Sequence, residues 1–71
     1  MIWFYAKRGR HLRCELRELS DGSQFDLVIT DADGSERVEH FEDSSSVTRR
    51  SAQLEAEWVQ EGWEGPFGRE Y

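Results

Sequence analysis

The sequence predicts one small α+β domain: a four-stranded antiparallel β-meander, in the order 1-2-3-4, with one C-terminal helix packed on one face. In the first half of the chain, runs of alternating apolar and polar residues are separated by glycine-containing turn signals, as in a meander. In the second half, residues 43–61 contain no Gly or Pro, and apolar residues recur at helical spacing. A chain of 71 residues is long enough for one domain and not for two.

The second hairpin is the most strongly specified part of the predicted sheet. Asp21-Gly22 stands between two alternating runs, and this dipeptide favours a two-residue type I′ turn, which needs positive φ at both central residues. Such a turn places Cys14 opposite Ile29. A slip of one residue would move the apolar residues of the two strands onto opposite faces, so the alternation selects the register.

The third hairpin is predicted in the same way. Asp33-Gly34 is the second Asp-Gly pair, and a two-residue turn at this pair places Ile29 opposite Val38. Val38 then belongs to the core face of the sheet, and its neighbours in the fourth strand point outward.

The first hairpin allows two registers, which place the N-terminal aromatic residues differently. A three-residue loop over residues 7–9, with its glycine in the left-handed position of a bulge, pairs Phe4 with Leu12. We adopt this register because it gives one coherent core face, and it directs Trp3 and Tyr5 to the outer face. A two-residue loop would instead turn both of these aromatic residues inward.

The helix is predicted after the fourth strand. Residues 43–46, Asp-Ser-Ser-Ser, are good N-cap residues, and Gly62 is a plausible residue just beyond the C-terminus. Val47, Leu54 and Trp58 recur at helical spacing, so this stripe should lie on the sheet.

The domain organisation follows from these elements. Residues 1-62 form the meander and helix, and residues 63-71 form a C-terminal tail whose Gly and Pro content predicts no regular structure. The tail contains Trp63, Phe67 and Tyr71, which indicates that it docks on the domain and offers one way to cover an exposed apolar face.

Composition narrows the classes of function. Nine basic and fifteen acidic residues give a net charge of −6, which argues against tight non-specific binding of nucleic acid. A single cysteine cannot form an intramolecular disulfide and fits a reducing compartment, so we expect a cytoplasmic location. The apolar run at the N-terminus is far too short for a signal peptide or a membrane span.

The sequence gives no sign of an enzyme, a cofactor or a metal site. Cys14 falls on the apolar side of its strand with no adjacent base, where a thiol is more typical of core than of a nucleophile. His11 and His40 do not complete a catalytic order or zinc spacing. The Asp-rich segment 31–35 begins like a calcium loop, but Glu36 stands where an EF-hand needs glycine, and a hairpin turn explains the segment better.

The outer face of the predicted sheet is the first candidate site. It combines large apolar groups with arginines, and exposed apolar patches commonly mark association surfaces. The candidate binding residues are Trp3, Tyr5, Arg13, Arg17, Val28, Arg37 and Phe41. We therefore expect a small non-enzymatic interaction module that self-associates, as a homodimer, through its outer sheet face or an edge strand, because association supplies burial that so short a chain lacks.

The alternative function is single-stranded nucleic-acid binding by the same face. In that case the aromatic residues stack on bases and the arginines meet phosphates. The stacking residues would be Trp3, Tyr5 and Phe41, and the phosphate contacts Arg13, Arg17 and Arg37.

A second candidate site lies at the helix N-terminus. Exposed N–H groups after the serine triplet, together with two arginines, would make an anion site. Its residues are Ser45, Ser46, Arg49 and Arg50. The alternative is that the two arginines form ordinary ion pairs with Glu39, Glu42 or Asp43.

The order of these motifs resembles short bacterial proteins with a ββββα layout, for which no activity is implied. The matching segments are Leu12-Arg13-Cys14-Glu15-Leu16, Asp21-Gly22, Leu27-Val28-Ile29-Thr30, Asp33-Gly34 and Glu61-Gly62-Trp63. The element order is also similar to that of PUR-type and Whirly-type single-stranded nucleic-acid-binding repeats, in which a curved four-stranded sheet precedes a helix. This likeness is one of topology and identifies no catalytic residue.

Overall fold

The computed structural model describes the backbone of residues 1–70 and the side chains of residues 1–68. It contains one antiparallel sheet and one helix, as the sequence predicts, but the sheet has five strands rather than four, in the order β4-β3-β2-β1-β5. The elements are β1 Ile2–Lys7, β2 Arg10–Leu19, β3 Gln24–Thr30, β4 Glu36–Phe41, α1 Ser44–Gln60 and β5 Glu64–Glu70.

The register of the second hairpin is confirmed. Cys14 lies opposite Ile29 and Leu16 opposite Leu27, so the apolar residues of β2 and β3 share one face. The connection is longer than a two-residue turn, because the strands end at Leu19 and begin again at Gln24. The predicted pairing is nevertheless unchanged, because the longer loop adds one residue on each side of the Asp-Gly pair.

The register adopted for the first hairpin is wrong. Trp3 lies opposite Cys14 and Tyr5 opposite Leu12, and the loop is the two-residue turn with positive φ at both Arg8 (51°) and Gly9 (78°). A non-glycine residue such as Arg8 costs roughly 1–2 kcal/mol in the left-handed region.

Burial of the two aromatic side chains explains why that cost is accepted. Trp3 and Tyr5 are only 5% and 2% exposed, and the Tyr5 ring lies 5.0 Å from the Trp58 ring of the helix in a tilted arrangement. Each large apolar side chain contributes about 1.5–3 kcal/mol when fully buried, so burying both outweighs one left-handed residue. The predicted outward placement of Trp3 and Tyr5 is therefore corrected.

The register of the third hairpin differs from the predicted one by a single residue. Val28, not Ile29, lies opposite Val38. Among the described residues other than glycine, positive φ occurs only at Arg8 and Ser20, so Asp33 does not adopt the conformation that a type I′ turn requires. The loop takes three residues instead, between the paired residues Asp31 and Ser35.

The helix is confirmed in its boundaries and its buried stripe. Asp43 is the N-cap and accepts a hydrogen bond from the Ser46 N–H, and Val47, Leu54 and Trp58 are buried. At the other end, Gly62 with φ of 100° follows the C-cap, and Trp63 N donates to the Trp58 carbonyl oxygen at 2.9 Å. Within the described part of the chain, this helix lacks the length and apolar character needed to cross a membrane.

The segment predicted as an irregular tail forms β5 instead. It pairs antiparallel with β1, with Phe67 opposite Phe4 and a register shift on either side of this pair. Trp63 packs against the core, so the predicted docking of the tail is confirmed for this residue, whereas Tyr71 lies outside the described residues. Gly and Pro are tolerated here because β5 is an edge strand.

The core lies between the sheet and the helix. Its buried residues come from β1, β2, β3 and α1, and Leu16, Phe41 and Trp63 pack against them. The buried cluster consists of Trp3, Tyr5, Leu12, Cys14, Phe25, Leu27, Ile29, Val47, Leu54 and Trp58.

Gly65 provides a test of how closely β5 lies on β1. A Cβ atom at Gly65 would stand 2.8 Å from both the Phe4 carbonyl oxygen and Tyr5 Cδ1, in a backbone with φ of 147°. We expect Gly65→Ala to lower the free energy of unfolding by about 1–3 kcal/mol more than Gly34→Ala, by the usual cost of overpacking. Urea denaturation of both variants measures the difference.

Gly34 is the matched control because its φ is also positive, at 90°, while a Cβ there would meet no atom within 4 Å. Equal losses in the two variants would show that β5 does not approach β1 as described.

Candidate functional site

The outer face of the sheet keeps three of the predicted binding residues. Arg13, Arg17 and Val28 lie on it, as their pairing with β3 and β4 residues requires. Glu15 stands between the two arginines and accepts from both, at 3.5 Å from Arg13 and 3.0 Å from Arg17. The hydrogen bond from Arg17 is the main reason that the pKa of Glu15 is lowered. Both guanidinium groups are thus already engaged by a carboxylate.

The other four predicted binding residues do not lie on the outer face. Trp3 and Tyr5 are in the core, as described above. Arg37 lies opposite Ile29, and Phe41 opposite Phe25, so β4 turns these side chains toward the helix side of the sheet. The predicted cluster of aromatic and arginine side chains therefore does not assemble. The one-residue difference in the third hairpin and the two-residue turn in the first hairpin account for all four corrections.

The predicted anion site at the helix N-terminus is occupied by the chain itself. The Asp43 carboxylate accepts from the Ser46 N–H at 2.7 Å and from the hydroxyl groups of Ser45 and Ser46. These bonds hold the pKa of Asp43 below its usual value, with the Ser46 backbone bond contributing most. An external anion would meet a carboxylate at this position.

Arg50 also has a partner within the chain, as the alternative interpretation expected. It binds Glu39 of β4 with two parallel hydrogen bonds of 2.8 and 3.1 Å. This bidentate contact lowers the pKa of Glu39 and fastens the helix to β4. Arg49 is exposed on the helix. The Arg50 guanidinium group is thus bound to Glu39 and does not face a site for an external anion.

Reactive groups are poorly placed for catalysis. Burial raises the pKa of the Cys14 thiol from 9.0 to about 12, so the thiol is protonated at neutral pH. A depression of about 390 Å³ lies between the first hairpin and the end of the helix, but Lys7, one of its cations, donates to the Glu61 carbonyl oxygen at 2.6 Å. Within residues 1–68, no three metal-ligating side chains come together.

The clearest unpartnered surface is the free edge of β4. The sequence indicated an edge strand as one route of association but not which edge. β4 is bonded to β3 on one side only, and Val38 is 55% exposed at its centre. On the outer face Val38 lies beside Val28, which is 1% exposed. His40 lies on the same face and is 2.8 Å from the Asp26 carboxylate. The signal was present in the sequence as Val38, but the predicted register placed it in the core.

The two edges of the sheet differ in regularity. β5 has register shifts on both sides of Phe4 and contains Pro66, which has no N–H to donate. Bulges and proline are devices that prevent further strands from pairing. β4 pairs with β3 over Glu36–Phe41 without a register shift, so its free side is a regular template for another strand.

Comparisons with known proteins identify no relative. No family model matches the chain, and neither a curated protein nor a solved structure matches it. Function must therefore be inferred from the geometry of this chain.

Cys14 provides a test of the assignment of the core. At pH 8 we expect an alkylating reagent to modify the native protein at least about a hundredfold more slowly than the urea-unfolded protein, because the native thiol is buried and its pKa is raised to about 12. The raised pKa opposes ionisation of Cys14 in the folded state. Its contribution to the free energy of unfolding is therefore fully present below pH 9 and is lost as the pH rises from 9 to about 12. Rapid native labelling would contradict this placement.

Proposed function

We propose that the protein is a small non-enzymatic interaction module of the cytoplasm that forms a homodimer through the free edge of β4. The observation that supports this proposal most directly is the exposed, regular edge strand with Val38 at its centre. Adding a strand to such an edge satisfies backbone groups that otherwise face water.

The size of the chain also favours association. Small domains bury a limited share of their surface, and pairing across an edge adds buried area without enlarging the chain. The apolar contribution would come from Val38, which projects beside buried Val28 and is the most exposed large apolar side chain of the described strands. A second copy placed on β4 would remove this side chain from water.

The outer face gives less support to single-stranded nucleic-acid binding. Its two central arginines share Glu15, and the aromatic residues expected to stack on bases are elsewhere. The net charge of −6 opposes approach of a polyanion. The edge is therefore the surface on which function is proposed.

Substituting Val38 tests the proposed dimer. We expect wild-type protein to change from monomer to dimer as its concentration rises, and Val38→Lys to raise the dimer dissociation constant at least about tenfold, because a charged side chain on an edge strand opposes pairing. Sedimentation equilibrium over a range of concentrations measures both constants.

Val59→Lys is the matched control, since Val59 is 53% exposed on the helix, close to the 55% of Val38, and the substitution adds the same charge. It should leave dimerisation unchanged. A wild-type protein that stays monomeric at millimolar concentration would refute the proposal.

A further inference from the structure

We propose that two copies pair their β4 strands antiparallel about a two-fold axis through Val38, which produces one continuous sheet across the dimer. This inference rests on the proposed function and specifies its interface. The axis, the register and the pairs of side chains all follow from the hydrogen-bonding pattern and the order of charges in β4.

The backbone of β4 limits the possible registers. Asp31 N donates to the Ser35 carbonyl oxygen at 2.8 Å, which makes this a hydrogen-bonded pair. In an antiparallel ladder such pairs alternate with non-bonded ones, so every second residue onward from Ser35 directs its backbone groups at β3. The intervening residues, Glu36, Val38 and His40, direct their N–H and C=O groups to the free edge. A second β4 strand must align these outward-directed residues with their counterparts.

One of the permitted registers is centred on Val38. It places Val38 opposite Val38 of the partner subunit, so the exposed valines of the two copies meet on the outer face. On the helix side of the sheet, Arg37 lies opposite Glu39 of the partner subunit, and the reciprocal pair forms by symmetry. Directly opposed residues of unlike charge stabilise a strand pair, whereas like charges destabilise it.

The adjacent registers are disfavoured by charge. Moving the second strand by one pleat in one direction places Arg37 opposite Arg37 of the partner subunit. Moving it in the other direction places Glu39 opposite Glu39 of the partner subunit. The order of charges in β4 therefore favours the register centred on Val38 over its two neighbours.

The Arg37–Glu39 pairs would add a second arginine to Glu39, which already forms an ion pair with Arg50 in each chain. Arg50 binds Glu39 from the helix, while Arg37 is exposed and has no ion-pair partner among the described side chains. The two salt-bridge contacts of Arg50 with Glu39 and Glu57 hold the acceptor side in place. Arg37 of the partner subunit would approach Glu39 from the open side of the edge.

A similar complementarity exists on the outer face. Glu36 would lie opposite His40 of the partner subunit, and His40 is already 2.8 Å from Asp26 of its own chain. His40 would then stand between two carboxylates, one from each copy. The same register therefore places unlike charges opposite each other on the helix side of the sheet. On the outer face it places valine opposite valine and Glu36 opposite His40.

Charge reversal in mixed dimers tests the register. Arg37→Glu places a carboxylate opposite Glu39 in each of the two pairs, and Glu39→Arg places a guanidinium group opposite Arg37 in each, so each variant should dimerise at least about tenfold more weakly than wild type. An equimolar mixture of the two variants restores unlike charges in both pairs, and its heterodimer should form within about threefold of the wild-type constant. Sedimentation equilibrium gives the constants, and circular dichroism confirms that each variant is folded.

Cysteine cross-linking gives a second test that alters neither charged residue. Hydrogen-bonded residues directly opposite each other have Cα atoms about 5.5 Å apart, within reach of a disulfide. Val38→Cys should therefore form a covalent dimer on mild oxidation. Glu36→Cys is the control on the same strand and face, where the two copies would lie roughly 14 Å apart along the strands and should not cross-link. Wild type should not cross-link either, because Cys14 is buried.

The outcomes separate this inference from the proposed function. A monomeric wild type refutes both. A dimer that Val38→Lys weakens, but that charge reversal leaves unchanged and V38C does not cross-link, supports the proposed β4 edge and overturns the register. Restoration in the mixture together with selective cross-linking of V38C supports the two-fold axis through Val38.

Discussion

Turn length controls this fold, because one residue more or fewer in a loop changes the face of every side chain in the strand that follows. In the third hairpin the turn takes three residues, and β4 therefore directs Val38 outward and Glu39 toward the helix. Arg50 can then bind Glu39 with two hydrogen bonds, which ties the helix to the edge of the sheet. The ion pair, the exposed valine and the order of charges at the edge all depend on this single loop.

The sequence was sufficient for the elements whose determinants are local. The second hairpin and the helix follow from alternation, an Asp-Gly pair and the Asp43 cap. The first hairpin could not be decided in this way, because both registers give an alternating apolar face. Its register depends on Tyr5 packing against Trp58, which is distant in sequence and contributes nothing to a local pattern. The candidate outer-face site failed partly for this reason, since it required Tyr5 to be exposed, and partly because the three-residue loop of the third hairpin turned Arg37 and Phe41 toward the helix side.

β5 shows a second limit of local patterns. Its glycines and Pro66 are typical of irregular structure, yet an edge strand needs hydrogen bonds on one side only. Gly65 allows the backbone of β5 to approach Phe4 and Tyr5 more closely than a side chain would permit. Glycine and proline, which weaken a central strand, are therefore compatible with an edge strand such as β5. They also make the outer side of β5 unsuited to pairing with a further strand.

The two edges of the sheet consequently differ in how they exclude additional strands. β5 excludes additional strands by its irregular backbone, whereas β4 is regular and can exclude them only through its charges. Those charges have opposite signs on the two sides of Val38, with Arg37 before it and Glu39 after it. An order that changes sign about its centre matches itself when the strand is reversed, whereas a strand of uniform charge would meet one like and one unlike charge and gain nothing on balance. The residues that disfavour other strands at this edge would therefore favour a second copy of this chain, which is how charge order can make an exposed edge specific.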